Sequence, residues 1–159
     1  MNAIPSPDAA ARCLVAAAEH AEAMEAVVEL SPGTWFVHFE TGGECLVEWA
    51  ESPQRLVITA GVGQPREDVQ AKVHASCLSF NTLWSELGAM RLARDDEDGH
   101  LLLINDIQLD DAEAAHVLLA NTLLRHEGMR LFWTMLVENA EAGDGGPSKA
   151  LDMMALQRA

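Results

Sequence analysis

Apolar residues along this chain recur at two spacings, and the changes between them divide it into elements. Over residues 8–30, Leu14, Val15, Ala18, Ala21, Met24, Val27 and Val28 recur at helical spacing, with Glu19, Glu22, Glu25 and Glu29 towards the other side. Pro7 suits the entry to such a helix and Asp8 its positive end. Ser31-Pro32-Gly33 would stop it, because proline disfavours a helical residue before it and glycine admits positive φ. The period then drops to two. Residues 34–39 alternate, with Trp35, Val37 and Phe39 on one side and Phe36 and His38 on the other. Thr41-Gly42-Gly43 turns the chain into residues 44–50, and Ser52-Pro53 turns it again into 55–60, which together read as an antiparallel meander. Gly61-Val62-Gly63-Gln64-Pro65 is expected to break the sheet and open a second helix over 65–87, with a stripe of Val69, Val73, Cys77, Phe80, Leu83, Trp84 and Leu87.

A hairpin follows, pairing residues 89–94 with 100–105 across an acidic turn. Its second strand, Leu101-Leu102-Leu103-Ile104, is apolar on both faces and should be covered on both. The longest helix starts at Asp110 or Asp111 and runs to about Ala140. The fold class is therefore α+β in the order α-β-β-β-α-β-β-α, a twisted, mainly antiparallel five-stranded sheet with three helices. Residues 1–142 read as one domain, and 143–159 as a Gly-rich linker and tail with a short helix around 150–156.

Charge narrows the partners. Ten Lys and Arg stand against 25 Asp and Glu, a formal net charge of −15, and the cations are scattered from Arg12 and Arg55 to Arg125 and Arg130. Such a field repels nucleic-acid phosphates and anionic lipid, whereas a basic protein or an unfolded segment fits it. Cys13, Cys45 and Cys77 are odd in number and far apart, which is no disulfide framework. The first residues lack a signal-peptide pattern, and the apolar stretch after them is interrupted by Arg12, Glu19, Glu22 and Glu25, too many charges to span a bilayer. A reducing, cytoplasmic setting is expected.

Candidate chemistry is sparse. Gly61-Val62-Gly63 resembles a dinucleotide loop, but the third glycine would fall at Arg66 and the strands before it form no parallel βαβ unit. The run Asp95–Asp98 before Gly99 resembles a calcium loop, yet its first and twelfth ligands would be Arg94 and Asn105, so a solvated hairpin turn explains it better. The six histidines show no HxxxH spacing, and Cys77 lies on an apolar stripe where a thiolate is disfavoured. The chain is expected to bind polypeptide, to perform no covalent chemistry, and to need no cofactor or metal.

Three apolar helix faces and several two-sided strands exceed what one small sheet hides. Of the four tryptophans, Trp84 and Trp133 have the stronger claim to a core, and Trp35 and Trp49 the weaker. The pattern resembles the class I chaperones of type III secretion, the Tir-chaperone (CesT/SycE-like) family, over about residues 9–140. The residues carrying the resemblance are Cys77-Leu78-Ser79-Phe80-Asn81-Thr82-Leu83-Trp84, the hairpin from Gly88-Ala89-Met90-Arg91-Leu92 through Gly99-His100-Leu101-Leu102-Leu103, and Ile107-Gln108-Leu109-Asp110 leading to a helix with Trp133 late in it. The resemblance implies a homodimer that holds an unfolded segment of one or more secreted effector proteins and delivers it to the secretion apparatus, whose ATPase is a further candidate partner. The effector would lie along apolar patches and add a strand at a sheet edge. Carried over, Leu14, Val15, Trp35, Val37, Phe39 and Val47 would meet the effector, and Val73, Phe80, Trp84 and Leu102 would form the dimer interface. The alternative is an acidic dimeric adaptor that binds folded basic proteins.

Overall fold

A computed structural model describes residues 6–109 and 114–141 of the chain. Its elements run α1 (Pro7–His20), β1 (Met24–Ser31), β2 (Thr34–Phe39), β3 (Glu44–Glu51), β4 (Gln54–Gly63), α2 (Gln70–Phe80), α3 (Trp84–Leu87), β5 (Arg91–Arg94), β6 (Leu101–Ile107) and α4 (Ala115–Glu138). The strands follow the order β1-β2-β3-β4-β6-β5, and β1 to β4 are antiparallel. The class is the expected α+β, with six strands and four helices among the described residues in place of five and three. Two compact units divide the chain, Met1–Ala60 with Ile104–Met129 and Gly61–Leu103 with Arg130–Ala159. The expected start of the last helix at Asp110 or Asp111, the linker and the tail helix lie outside the described residues.

In the first unit, α1 opens on Ser6, whose hydroxyl accepts a hydrogen bond from the Ala9 N–H at 3.3 Å, with Pro7 in the first turn. Ala10, Leu14 and Ala17 are its buried stripe. The helix expected to reach residue 30 stops at His20. Residues 24–31 form β1 instead, in register with β2 through Ala26↔His38, Val27↔Val37, Val28↔Phe36 and Glu29↔Trp35. Met24, Val27 and Val28 satisfy a helical period, but adjacent β-branched side chains favour a strand, and β2 supplies the backbone partners. Pro32 and Gly33 are the two central residues of the β1–β2 turn. Proline presets φ at the first, and Gly33 takes φ +83° at the second, where any side chain is strained. The Gly33 carbonyl also accepts from the Trp49 N–H at 2.8 Å, which ties the turn to β3.

Alternation decides the core of this unit. Trp35, Val37 and Phe39 of β2, Cys45 and Val47 of β3, and Leu56, Ile58 and Ala60 of β4 are buried together with α1's stripe and with Leu119, Ala120 and Leu123 of α4. At the β2–β3 turn, Thr41 donates its hydroxyl to the buried Glu127 carboxylate of α4 and accepts from the Gly43 N–H at 3.3 Å.

The second unit begins inside β4. Gly61-Val62-Gly63 was expected as a loop and is strand, because the period of two continues through it: Val62 is buried and Gly61 exposed. The single helix expected over 65–87 is also divided. Asn81 ends α2, and its side-chain amide donates to the Leu92 carbonyl at 3.0 Å while its Oδ1 accepts from the Leu92 N–H at 2.8 Å. Those two bonds give the side chain a fixed partner at the edge of β5. Gly88, at φ +66°, closes the short α3. Val73, Cys77 and Phe80 form the buried face of α2, and Phe80 meets Trp133 edge to face at 5.3 Å. Strand β6 buries Leu101 and Leu103 on one face and half-buries Leu102 on the other.

Candidate functional site

Strand β1 is the outermost strand of the sheet order, and among the described residues it pairs with β2 alone. An outer strand keeps a row of unpaired backbone N–H and C=O groups on its free side, a template for another chain. Strand β1 is also unusually bare. Val28 is 44% and Leu30 52% exposed, with Glu25, Glu29 and Ser31 exposed beside them. From Val28 a row of neighbours crosses the sheet through Phe36 and Leu46 to Thr59. Phe36 and Leu46 are only half-buried, whereas the opposite face of the same strands carries the core. On the opposite, core side of the sheet, α1 packs against β1, and its Val15 is 52% exposed. The first unit thus presents an apolar strip on an open edge.

The residues expected to meet an effector divide sharply. Val15 is at the surface, while Leu14, Trp35, Val37, Phe39 and Val47 are all at or below 2% exposure and belong to the core of the first unit. Alternation had separated the two faces of β2 and β3 correctly and left open which face was covered. Val28 and Leu30 were missed because their segment reads as helix. The Val27-Val28 pair followed by Pro32-Gly33 was the available signal for a hairpin.

The expected dimer residues divide likewise within the second unit. Val73 and Phe80 are buried, Leu102 is half-buried, and Trp84 is 72% exposed, against the expectation that it belongs to a core. Leu78, on α2, is 70% exposed and was not singled out. Trp133 is buried as expected.

The groups weighed for catalysis have structural surroundings. Burial pushes the Cys77 thiol up to about 11, away from a reactive thiolate. In the β5–β6 turn, Asp98 accepts from the His100 N–H at 2.9 Å and lies 3.0 Å from the His100 ring, and this backbone hydrogen bond, more than the ring, holds its carboxyl below the usual range. Gly99 takes φ +79° there, as a tight turn requires. Among the described residues no three His, Cys, Asp or Glu side chains gather where a metal would sit, and no helix is long and apolar enough to cross a membrane.

The model of the Tir chaperone protein (CesT) family matches residues 33–142. The chain belongs to that family. No curated protein matches it in sequence. Solved structures similar to this family member include a chain of the ExsC–ExsE complex, with a TM-score of 0.66 and 18% identity over 85% of this chain and 98% of that one. A chain of the HopA1–SchA chaperone–effector complex matches with a TM-score of 0.59 and 18% identity, covering 82% of this chain and 94% of the other. A chain of the heterodimeric ExoU–SpcU complex from the type III secretion system of Pseudomonas aeruginosa matches with a TM-score of 0.54 and 20% identity, covering 69% and 87%. At these identities the likeness is one of fold, and the family itself is one of chaperones.

Proposed function

We propose that this CesT-family protein is a type III secretion chaperone that binds an extended, unfolded segment of one or more effector proteins in the cytoplasm and keeps it competent for secretion. The observation that carries the reading is the outer edge of β1, which among the described residues pairs with β2 alone, with Val28 and Leu30 exposed along it and Val15 exposed on the adjoining helix. Added backbone hydrogen bonds give sequence-tolerant affinity, and exposed apolar side chains select what lies beside them. In this reading Leu14, Trp35, Val37, Phe39 and Val47 hold the strip flat from beneath, and the effector touches Val15, Val28 and Leu30. The protein acts without covalent chemistry, as a holdase.

Dimerisation belongs to the same proposal. Trp84 and Leu78 leave two large apolar side chains in water, and a second copy covering them through α2 and α3, with the half-buried Leu102 of β6 as a further candidate contact, accounts for that exposure. Delivery to the secretion-apparatus ATPase would follow effector binding.

The test uses a purified effector segment encoded near the chaperone's gene. Calorimetry is expected to show binding of the unfolded segment and none of a folded basic protein. Val28→Lys with Leu30→Lys should abolish binding without changing the circular dichroism spectrum. Light scattering should give twice the chain mass for the parent protein and the chain mass for Trp84→Ala with Leu78→Ser. Tight binding of folded basic proteins with no binding of unfolded segments would instead establish the adaptor reading.

A further inference from the structure

The charge around β1 has a pattern as well as a sign. Between Arg12 and Arg55 the chain holds eight glutamates and neither Lys nor Arg. That stretch supplies most of α1 and all of β1, β2 and β3, and every one of the eight side chains is exposed. Among the described residues the ion pair made by any of them is that of Glu44 with His38, at 3.5 Å. Negative charge alone selects nothing beyond positive charge. The strand edge adds a period.

In the regular part of β1, Ala26 and Val28 share the sheet face of His38 and Phe36, while Val27 and Glu29 share the face of Val37 and Trp35. Glu25 and Leu30 fall at the register irregularities that flank this part, and both are exposed. A strand laid along the free side of β1 places successive side chains on the two faces in turn. On one face its side chains continue the apolar row from Val28 to Phe36 and Leu46. On the other they arrive beside Glu29, while Glu25 is exposed four residues earlier in the same strand, and no Lys or Arg of the chain between Arg12 and Arg55 competes for them. Opposite charges on directly neighbouring strand positions are favourable, and like charges are unfavourable.

We propose that the segment taken at β1 is a basic amphipathic strand, apolar on the face of Val28 and Phe36 and carrying Lys or Arg on the face of Glu29. The proposal rests on the chaperone reading above and names the chemistry of its client. It explains why the open edge carries glutamates where an edge meant for an apolar segment alone would gain from neutral residues.

The experiment uses the full-length protein and synthetic ten-residue peptides read by fluorescence anisotropy. One peptide alternates Val with Lys, a second alternates Val with Ser, a third Val with Glu, and a fourth has the Val/Lys composition in blocks. The expected order is alternating Val/Lys tightest, Val/Ser roughly tenfold weaker, and Val/Glu weaker again, a spread in line with two neighbouring charge pairs. Glu25→Lys with Glu29→Lys, which changes only exposed side chains, should invert the preference so that Val/Glu binds more tightly than Val/Lys. Equal binding of the Val/Lys and Val/Ser peptides would overturn the basic preference and leave the client edge standing. Equal binding of the alternating and block Val/Lys peptides would reduce the effect to bulk attraction and overturn the strand geometry proposed here. If no alternating peptide bound and an unfolded effector segment also failed, the chaperone site itself would be misplaced.

Discussion

Leu14 and Val15 are neighbours in one helix, and their side chains have opposite surroundings: the first has no exposed surface and the second is 52% exposed. Truncating each to alanine therefore separates holding the fold from touching a client. Leu14→Ala removes three carbons, about 2.4 kcal/mol at ~0.8 kcal/mol per buried methylene. The cavity left among Trp35, Val47 and the other core residues is not refilled, so the total should reach about 2.7–5.0 kcal/mol. Val15→Ala loses partial contact and gains helix propensity, and its net effect should lie within about 0.5 kcal/mol. Urea unfolding followed by circular dichroism should move the Leu14→Ala midpoint down by roughly 1.4–2.5 M, for a slope of about 2 kcal/mol per molar, and leave that of Val15→Ala nearly unmoved. Anisotropy with an unfolded effector segment should show the reverse, weaker binding for Val15→Ala. A Leu14→Ala midpoint within about 0.3 M of the parent, or a Val15→Ala shift as large as that of Leu14→Ala, would refute the assignment of the two faces of α1.

Three further outcomes follow from local chemistry. Gly128 is exposed within α4, a side-chain carbon there would meet nothing within 4 Å, and Gly128→Ala should raise stability by about 0.4–1 kcal/mol in the same urea experiment. Cys77, buried with its thiol pushed up from 9.0 to about 11, should alkylate about a hundredfold more slowly than an ordinary thiol at neutral pH and react fully once the chain is unfolded, as mass spectrometry of the modified peptide would show. The Asp98 carboxyl, held below its ordinary value of 3.8 chiefly by the His100 N–H, should titrate below that value in a carboxyl-carbon NMR experiment. Because the folded value is the lower one, the contribution is present at neutral pH and disappears as pH falls through it. A midpoint at or above 3.8 would remove the turn's hydrogen bond from the account.

Much of this architecture could be read from residue patterns, and the failures share a cause. Period-two alternation in residues 34–39 and 44–50 marked β2 and β3, because a half-covered sheet writes its two faces directly into sequence. Residues 24–31 failed because Met24, Val27 and Val28 fit a helical period, and the partner that makes them a strand, β2, lies beyond a turn. Asn81 failed for a similar reason: its hydrogen bonds to Leu92 are eleven residues away, and nothing local announces them. The candidate site suffered most. Trp35 and Phe39 are large and apolar, qualities shared by core and binding surface, and only the packing of α1 and α4 shows which they serve. Trp84 misled in the opposite direction, since its helical stripe fits a core and its side chain stands in water.

The eight glutamates around β1 also govern what two copies of this chain do to each other. A naked outer strand with valine and leucine on it invites its own duplicate, and at the crowded concentrations of a cell that pairing would precede any encounter with a scarce guest. Two such edges brought together would set carboxylate against carboxylate without a single Lys or Arg in the stretch to relieve them. Self-pairing at that margin is thereby discouraged, and the strand stays vacant for a sequence of different composition.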